Sequence, residues 1–456
     1  MHHETKIAIL GGGVTGLCAA HYLANTFGRD QVLLLEASDY AGGTTRTDSS
    51  DGFLLDWGPN GFLDREPATL QWVDDLGLSG KLVRADVSAA RRFIMKSDEL
   101  VEILPPPRFL LTPLLSLRGR ARLMCEPLIR GKKDDTPETI WDFAARRIGR
   151  EAADTLVGPM VSGVFGGDAK QLSLEHCFPR MAAMERDYGS LFKALLAKKK
   201  ENSAASPVGP SGVLTSFQEG VGYLPRQAAA QLADRAVVNT RVTSLLRTNG
   251  AYRIACENDT TVEAQAVVIA TPAFAAANIV AGFDPSLAKA LDSVAYANIA
   301  VVCTAFPREA VGHDLDGFGF LIPRTQGKRI LGCLWTSSIF PHQAPSGHVL
   351  LRTMVGGFTD PDAVDLSDGE FVDLLKRELH PLLRINGELE LLRVYRHHRG
   401  IPQYLLHHRQ TLEAIEAAEA AHGGLVLAGN AYRGVGLNDC VVSAHRAVAC
   451  VSSSLA

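Results

Sequence analysis

The chain has 456 residues, with 46 Lys and Arg against 50 Asp and Glu and a formal charge of −4. At roughly 150 residues per domain this is enough for two or three domains with large cores, and 46% hydrophobic with 21% charged residues excludes a disordered chain. So balanced a charge also excludes nucleic acid as the main partner, because neutralising phosphates needs a basic surplus. Met1 is followed by no basic stretch, and the first apolar run soon meets glycines, so no export signal is expected. Residues 6–10 (KIAIL) predict a strand, 17–27 (LCAAHYLANTF) a helix, and 31–36 (QVLLLE) a second strand ending on an acid, together a βαβ unit. From about 110 to 200 the pattern is mainly helical. Within it, 109–129 (FLLTPLLSLRGRARLMCEPLI) mixes apolar runs with Arg118, Arg120 and Arg122, which suits a helix lying on a lipid surface or one packed on its own domain. The lysines of 198–200 read as a solvated helix end, and 201–212 (ENSAASPVGPSG) as an exposed loop. Short β-runs return over 236–271 and 294–358. The uncharged stretch 264–283 is long enough to span a membrane, but its β-branched run followed by Pro272 reads as a buried strand, a turn and a short helix. The chain closes on a strand (GLVLAG), a loop (NAYRGVG) and a helix. The cysteines (Cys18, Cys125, Cys177, Cys256, Cys303, Cys333, Cys440, Cys450) form no CxxC pair and read as buried, reduced thiols with no metal site.

The chemistry is concentrated near the two ends. Gly11, Gly12, Gly13, Val14, Thr15 and Gly16 satisfy G-x-G-x-x-G between the first strand and helix. Gly11 allows the tight turn, Gly13 lets a pyrophosphate approach the backbone, and Gly16 lets the helix pack on the sheet. The unpaired N–H groups of the helix N-terminus then face the phosphates. Glu36, twenty positions after Gly16, is placed to accept hydrogen bonds from a ribose diol. Gly42, Gly43 and Thr44 add a second backbone surface, with Arg46 as a cation for the pyrophosphate or flavin side. At the far end Asn430 follows a strand, and Gly434 and Gly436 lead into a helix whose N-terminus can stabilise negative charge on a reduced flavin. Nucleotide contacts at both ends of the chain favour a long FAD over a nicotinamide cofactor.

These motifs resemble the FAD-dependent amine-oxidase superfamily and, within it, the oxygen-dependent protoporphyrinogen oxidases. The narrower likeness rests on 56–66 (DWGPNGFLDRE), 90–95 (ARRFIM), 164–191, 317–347 with its SSIFP and AP blocks, and 401–408 (IPQYLLHH). The resemblance implies an α/β fold: a Rossmann-like FAD-binding domain of the amine-oxidase (GR2) type (1–80, 215–285, 420–456), a mixed-sheet substrate domain (81–110, 286–419) and a helical, membrane-associated insert (111–214). It implies that Ala37, the turn Gly58, Pro59, Asn60 and Gly61, Val242, Val435 and Leu437 join the residues above in binding FAD. It also implies that Arg92 pairs with a substrate carboxylate, with Arg91 as the competing choice. Leu321 and Phe340 would flank the macrocycle, although both residue types equally suit a core. No side-chain acid or base is expected, since the flavin is the oxidant, and the pairs His397–His398 and His407–His408 read as packing or surface residues.

The implied reaction oxidises protoporphyrinogen to protoporphyrin with dioxygen as acceptor and hydrogen peroxide as product. Coproporphyrinogen III oxidation on the same fold stays open. An amine oxidase is disfavoured because 298–306 (NIAVVCTAF) carries no Lys, and a non-catalytic nucleotide-binding protein is disfavoured by the presence of both nucleotide ends and the substrate blocks. Expected partners are the porphyrinogen and dioxygen, with a peripheral membrane surface and a homodimer left open. The expected location is the cytoplasm, at most on the inner face of the cell membrane.

Overall fold

Strands that are apolar at every position, and not at alternate ones, are buried on both faces, which is the condition of a parallel sheet covered by helices. Val32–Leu35, the second half of His2–Leu10, the second half of Thr261–Ile269 and Leu425–Leu427 are all of this kind. In the computed structural model, which describes residues 2–104, 108, 112–132, 134, 136–200 (198–200 without side chains) and 212–456, they lie side by side. The sheet has seven strands, ordered Ala236–Val237, Val32–Leu35, His2–Leu10, Thr261–Ile269, Ala251–Cys256 and Val242–Thr248, with Leu425–Leu427 also paired to Thr261–Ile269. One face packs on the helices Val14–Phe27, Tyr223–Leu232 and Leu437–Leu455. The other forms a cluster with Leu245, Tyr252 and Ile254 of the antiparallel strands Val242–Thr248 and Ala251–Cys256 and with the helices Ala273–Val280, Pro285–Asp292 and His408–Ala421. The uncharged stretch 264–283 is therefore a buried strand, a turn at Pro272 and a short helix, as expected. Among the described residues no helix is long and apolar enough to cross a membrane.

A second, mixed sheet of seven strands runs Leu391–Gln403, Ala295–Pro307, His348–Gly356, Ile330–Leu334, Gly319–Leu321, Arg92–Lys96 and Glu99–Glu102. Its back face (Phe93, Ala300, Val302, Phe320) packs on the helix Asp368–Glu378. Its front face carries Val301, Cys303 and Tyr395 against Phe53, Leu55 and Trp57, so it turns toward the first sheet. A three-stranded sheet of Phe62–Leu63, Leu214–Phe217 and Leu82–Arg84 ties the two parts together. The described residues between 117 and 200 are mainly helical, running from Leu117–Met124 to Leu191–Lys200. The expected loop 201–212 lies outside the described residues apart from Gly212, as do 109–111 of the Arg-rich segment. No cysteine is bridged, and Cys125 and Cys450 are exposed, which corrects the expectation that all are buried. Both fall on the outer faces of helix ends, where nothing covers them.

Candidate active site

The parallel strands end at Leu10, Leu35, Ile269 and Leu427, and the segments that leave these carboxyl ends meet in one crevice, the place where α/β sheets bind nucleotides. Gly11 turns there with φ +106°, and a Cβ on it would come within 2.9 Å of the Ala270 carbonyl. A Cβ on Gly16 would sit 1.9 Å from the Gly11 carbonyl oxygen, so the helix packs that closely only with glycine there. At Gly13, by contrast, a Cβ would meet nothing within 4 Å. Gly13 caps a helix with no acid in its first turn, leaving its dipole unneutralised. The Glu36 carboxylate accepts from Gly12 N–H at 2.7 Å and from the Ser38 N–H and hydroxyl at 2.8 and 2.7 Å, which aims it into the crevice beside Ala37. The second glycine pair is fastened to the first: Gly42 donates to the Gly12 carbonyl at 2.7 Å, and Gly43 and Thr44 follow on the surface. Thr15 is turned away. Its hydroxyl donates to the Cys440 carbonyl at 3.3 Å, and with the buried Val14 it packs the first helix on the last. Val242 opens the strand Val242–Thr248.

The turn 58–61 is held between the Thr44 segment, the three-stranded sheet and Arg352 of the second sheet. Gly58 lies where a Cβ would be 2.5 Å from the Thr44 carbonyl oxygen, and Gly61 where it would be 2.5 Å from that of Thr215. The indole of Trp57 is sandwiched between the Arg46 guanidinium at 4.4 Å and the stacked Tyr395 ring at 4.8 Å. Its carbonyl accepts from His397 Nε2 at 3.0 Å. Arg46 also pairs with Asp48 at 3.5 Å. The buried Arg352 donates to the Gly58 carbonyl, and burial pushes its guanidinium pKa down. Burial likewise pushes the Asp56 carboxyl up, against hydrogen bonds from Thr47 at 2.6 Å, Gln343 at 3.1 Å and Val221 N–H at 3.2 Å. At the other end Gly429 has φ +128° with open space where its Cβ would be, and Asn430 to Gly436 form a loop entering Leu437–Leu455. Near the ends of these segments Thr271 Oγ1, Trp57 Nε1 and Asn60 Nδ2 are buried with no partner in the protein. Orphaned polar groups and an open glycine cradle in one crevice fit a polar ligand of dinucleotide type.

On the second sheet, Arg92 pairs with Gly319, Gly319 with Leu334, and Leu334 with Arg352. Directly opposed residues share a face, so these form one row across the front. At about 4.8 Å per strand the row spans about 14 Å from exposed Arg92 to the Gly58 turn. The neighbouring row is Ile94, Leu321, Gly332 and Met354. Leu321 is half-buried, and the helix Gly158–Phe165 crosses it so closely that a Cβ on Gly163 would be 2.7 Å from its Cδ2. The two adjacent arginines are used differently. Arg91 is ion-paired with Glu102 at 2.7 Å and with Asp316. Arg92 has no carboxylate partner among the described residues and lies 5.2 Å over the half-exposed Phe318 ring. Phe340 has no exposed surface: it ends the one-turn helix Thr336–Ile339 and packs among Ala89, Ile339, Leu334 and Phe318. The turn before it points it into this cluster, beside Leu334 of the front row.

The comparisons with known proteins agree with this geometry. Residues 14–452 match the family model described as flavin containing amine oxidoreductase. The chain belongs to this family. It is 30% identical to the coproporphyrinogen III oxidase of Bacillus subtilis (strain 168), covering 98% of this chain and 97% of the relative. It is 32% identical to the chloroplastic protoporphyrinogen oxidase 1 of Arabidopsis thaliana, covering 97% and 87%. A crystal structure from Exiguobacterium sp. 255-15, provisionally assigned as a protoporphyrinogen oxidase, superposes with a TM-score of 0.84 at 25% identity over 99% of each chain. The protein is thus an FAD-dependent oxidoreductase of the flavin-containing amine oxidoreductase family, and FAD is its cofactor. Sequence reasoning did not single out Thr271, Trp57, Phe318 or Arg352. Trp57 and Phe318 lie within the blocks 56–66 and 317–347, Thr271 is the Thr–Pro that ends an apolar strand, and Arg352 carried no local signal.

Proposed function

We propose that the protein oxidises a porphyrinogen, protoporphyrinogen IX, to the porphyrin in several two-electron rounds, within porphyrin biosynthesis. Each round moves two hydrogens from substrate to dioxygen and releases one hydrogen peroxide. Bound FAD supplies the two-electron chemistry. The glycines 11–13, Glu36, Gly43, Thr44, the turn 58–61 and the 430–437 loop would hold it. The chain's own task is to orient an apolar disc against the flavin and exclude water. Leu321 and Phe318 would give apolar contact, and Arg92 a cation at the outer edge.

The observation that carries this reading is the contrast between the neighbouring arginines. Arg91 is neutralised by two acids, so of this pair Arg92 is the cation left for bidentate binding of a carboxylate. One such cation at one edge suits a substrate whose carboxylates cluster there, better than one with four carboxylates around the ring. Coproporphyrinogen III remains the second reading, favoured by the near full-length likeness to the Bacillus subtilis enzyme. Assaying both porphyrinogens in parallel under air decides between them: faster turnover of coproporphyrinogen III sinks the first reading. In the same assay Arg92→Ala is expected to lower kcat/KM about ten- to a hundredfold with flavin content unchanged. Arg92→Lys should recover only part of that, and Arg91→Ala should cost much less.

The proposal extends to a cytoplasmic protein bound peripherally to a membrane. Leu117, Ala121, Met124 and Leu128 are all exposed and recur at helical spacing, with exposed Arg118 and Arg130 beside them.

A further inference from the structure

The segment Gln403–His408 follows the last strand of the second sheet and touches three parts of the molecule. The Gln403 amide donates to the Phe165 carbonyl at 2.8 Å, and the Tyr404 carbonyl accepts from Ser173 N–H at 2.8 Å. Leu405 is bridged to Leu172. These contacts go to the helical insert. The Tyr404 ring, with no exposed surface, points the other way. Its hydroxyl donates to the Asn430 carbonyl at 2.5 Å and accepts from Gly434 N–H at 2.9 Å, closing the flavin-side loop across its two ends. His408 stacks on the Tyr404 ring at 4.4 Å and donates from Nε2 to the Tyr432 carbonyl at 2.8 Å. Gly434 has φ +100° and Gly429 φ +128°, so the loop's own glycines do little to restrict it.

We propose that Tyr404 is a positioning residue for the cofactor: its hydroxyl sets the shape of the 430–436 loop, and its backbone anchors that setting to the helical insert. The loop enters the helix Leu437–Leu455, whose first-turn Asp439 already accepts from Gly436 N–H at 3.0 Å, so loosening the loop shifts this helix entry and the remaining backbone N–H groups that would face the reduced, negatively charged flavin. The inference needs only bound FAD, and its tests contain no porphyrinogen, so it fails or survives independently of the substrate reading.

Tyr404→Phe removes the hydroxyl and keeps the ring. The matched control is Tyr252→Phe. Tyr252 is equally buried, and its hydroxyl donates to the carbonyls of His422 and Gly423 at 3.0 and 2.9 Å, before the amino end of Leu425–Leu427, whereas the flavin loop follows the carboxyl end. Flavin release from each holoenzyme is followed by free-flavin fluorescence after dilution, and the midpoint potential by equilibration with a redox dye. Both variants should melt at lower temperature. Only Tyr404→Phe should bind flavin about ten- to a hundredfold more weakly and shift the potential to more negative values. Wild-type release and potential in Tyr404→Phe overturn the proposal, as does an equal shift in Tyr252→Phe. If Tyr404→Phe does not fold, hydrogen–deuterium exchange of 430–436 in the unaltered holoenzyme still decides: protection like that of the neighbouring strand supports the staple, and loop-like exchange refutes it.

Discussion

At Gly13 an added side chain meets open space, and at Gly16 it meets a carbonyl oxygen 1.9 Å away. The two glycines of one motif therefore serve different ends, Gly13 leaving room for the ligand and Gly16 for the fold. Gly13→Val is expected to fold with a near wild-type melting temperature and to purify without its flavin, because the branched side chain fills the pyrophosphate cradle. Gly16→Val should give little soluble protein. Comparing absorbance near 450 nm with circular dichroism for both variants separates the cases, and a fully flavinated Gly13→Val would mean the phosphates lie elsewhere. The same scale distinguishes Arg91 from Arg92. They are alike in sequence, yet Asp316, 225 positions further on, and Glu102 claim only the first.

Beside its apolar cores the helical insert contains a buried charge cluster. Glu126 and Arg147 have no exposed side-chain surface. The Glu126 carboxylate accepts from Arg147 Nε at 2.8 Å, the Ser190 hydroxyl at 2.6 Å, and the N–H groups of Leu191 and Phe192 at 2.9 and 3.2 Å. Those amides open the helix Leu191–Lys200, so one carboxylate joins three helical segments and caps one of them. Arg146 adds Glu138 and Glu185 at 2.8 and 2.7 Å. Removing one partner strands the other charge, so Glu126→Gln should destabilise the insert by about 3–5 kcal/mol, read by urea unfolding. Burial raises the Glu126 pKa, but Ser190, Arg147 and the two amides outweigh it, so the net shift is downward from 4.5. Its stabilising effect is then complete above that value and lost as pH falls through the lower folded pKa. Wild type should lose stability along this acid limb. Glu126→Gln should lack most of it, and an unchanged pH profile would count against the cluster's role.

At the level of the whole molecule, the exposed apolar stripe lies on the insert and not on either sheet domain. Leu117 and Leu128 are each 80% exposed and Leu196 is 66% exposed. The proposed peripheral contact would bury these leucines at a bilayer surface, with Arg118 and Arg130 beside Leu117 and Leu128. Wild type should co-sediment with anionic vesicles, more strongly at low salt. Leu117→Glu with Leu128→Glu should weaken this at least about tenfold, since burying each leucine contributes about 1.5–3 kcal/mol. Vesicle binding equal in both proteins would place the contact on another face. The same insert packs Gly163 on Leu321 and Ser173 on Tyr404, so the proposed lipid-facing unit also borders the substrate row and the flavin loop.

The first βαβ unit, the nucleotide crevice and the closing strand, loop and helix were legible in the residue order, because their causes are local. Continuous apolar runs must be covered on both faces, and glycines at fixed spacing admit one kind of turn. The buried strand and turn at 264–283 were legible for the same reason. Arg92 was preferred to Arg91 by resemblance alone, and the ion pairs that set the two apart, the burial of Phe340 and the reach of Tyr404 to Gly434 were not legible. Each depends on strand register and on contacts between segments far apart in the chain, and side chains of identical type give no local sign of which one the register turns toward a partner. Residue order alone determined the glycine turns and the strand–helix unit that form the nucleotide motif; strand register and contacts between distant segments decided which side chains stand free.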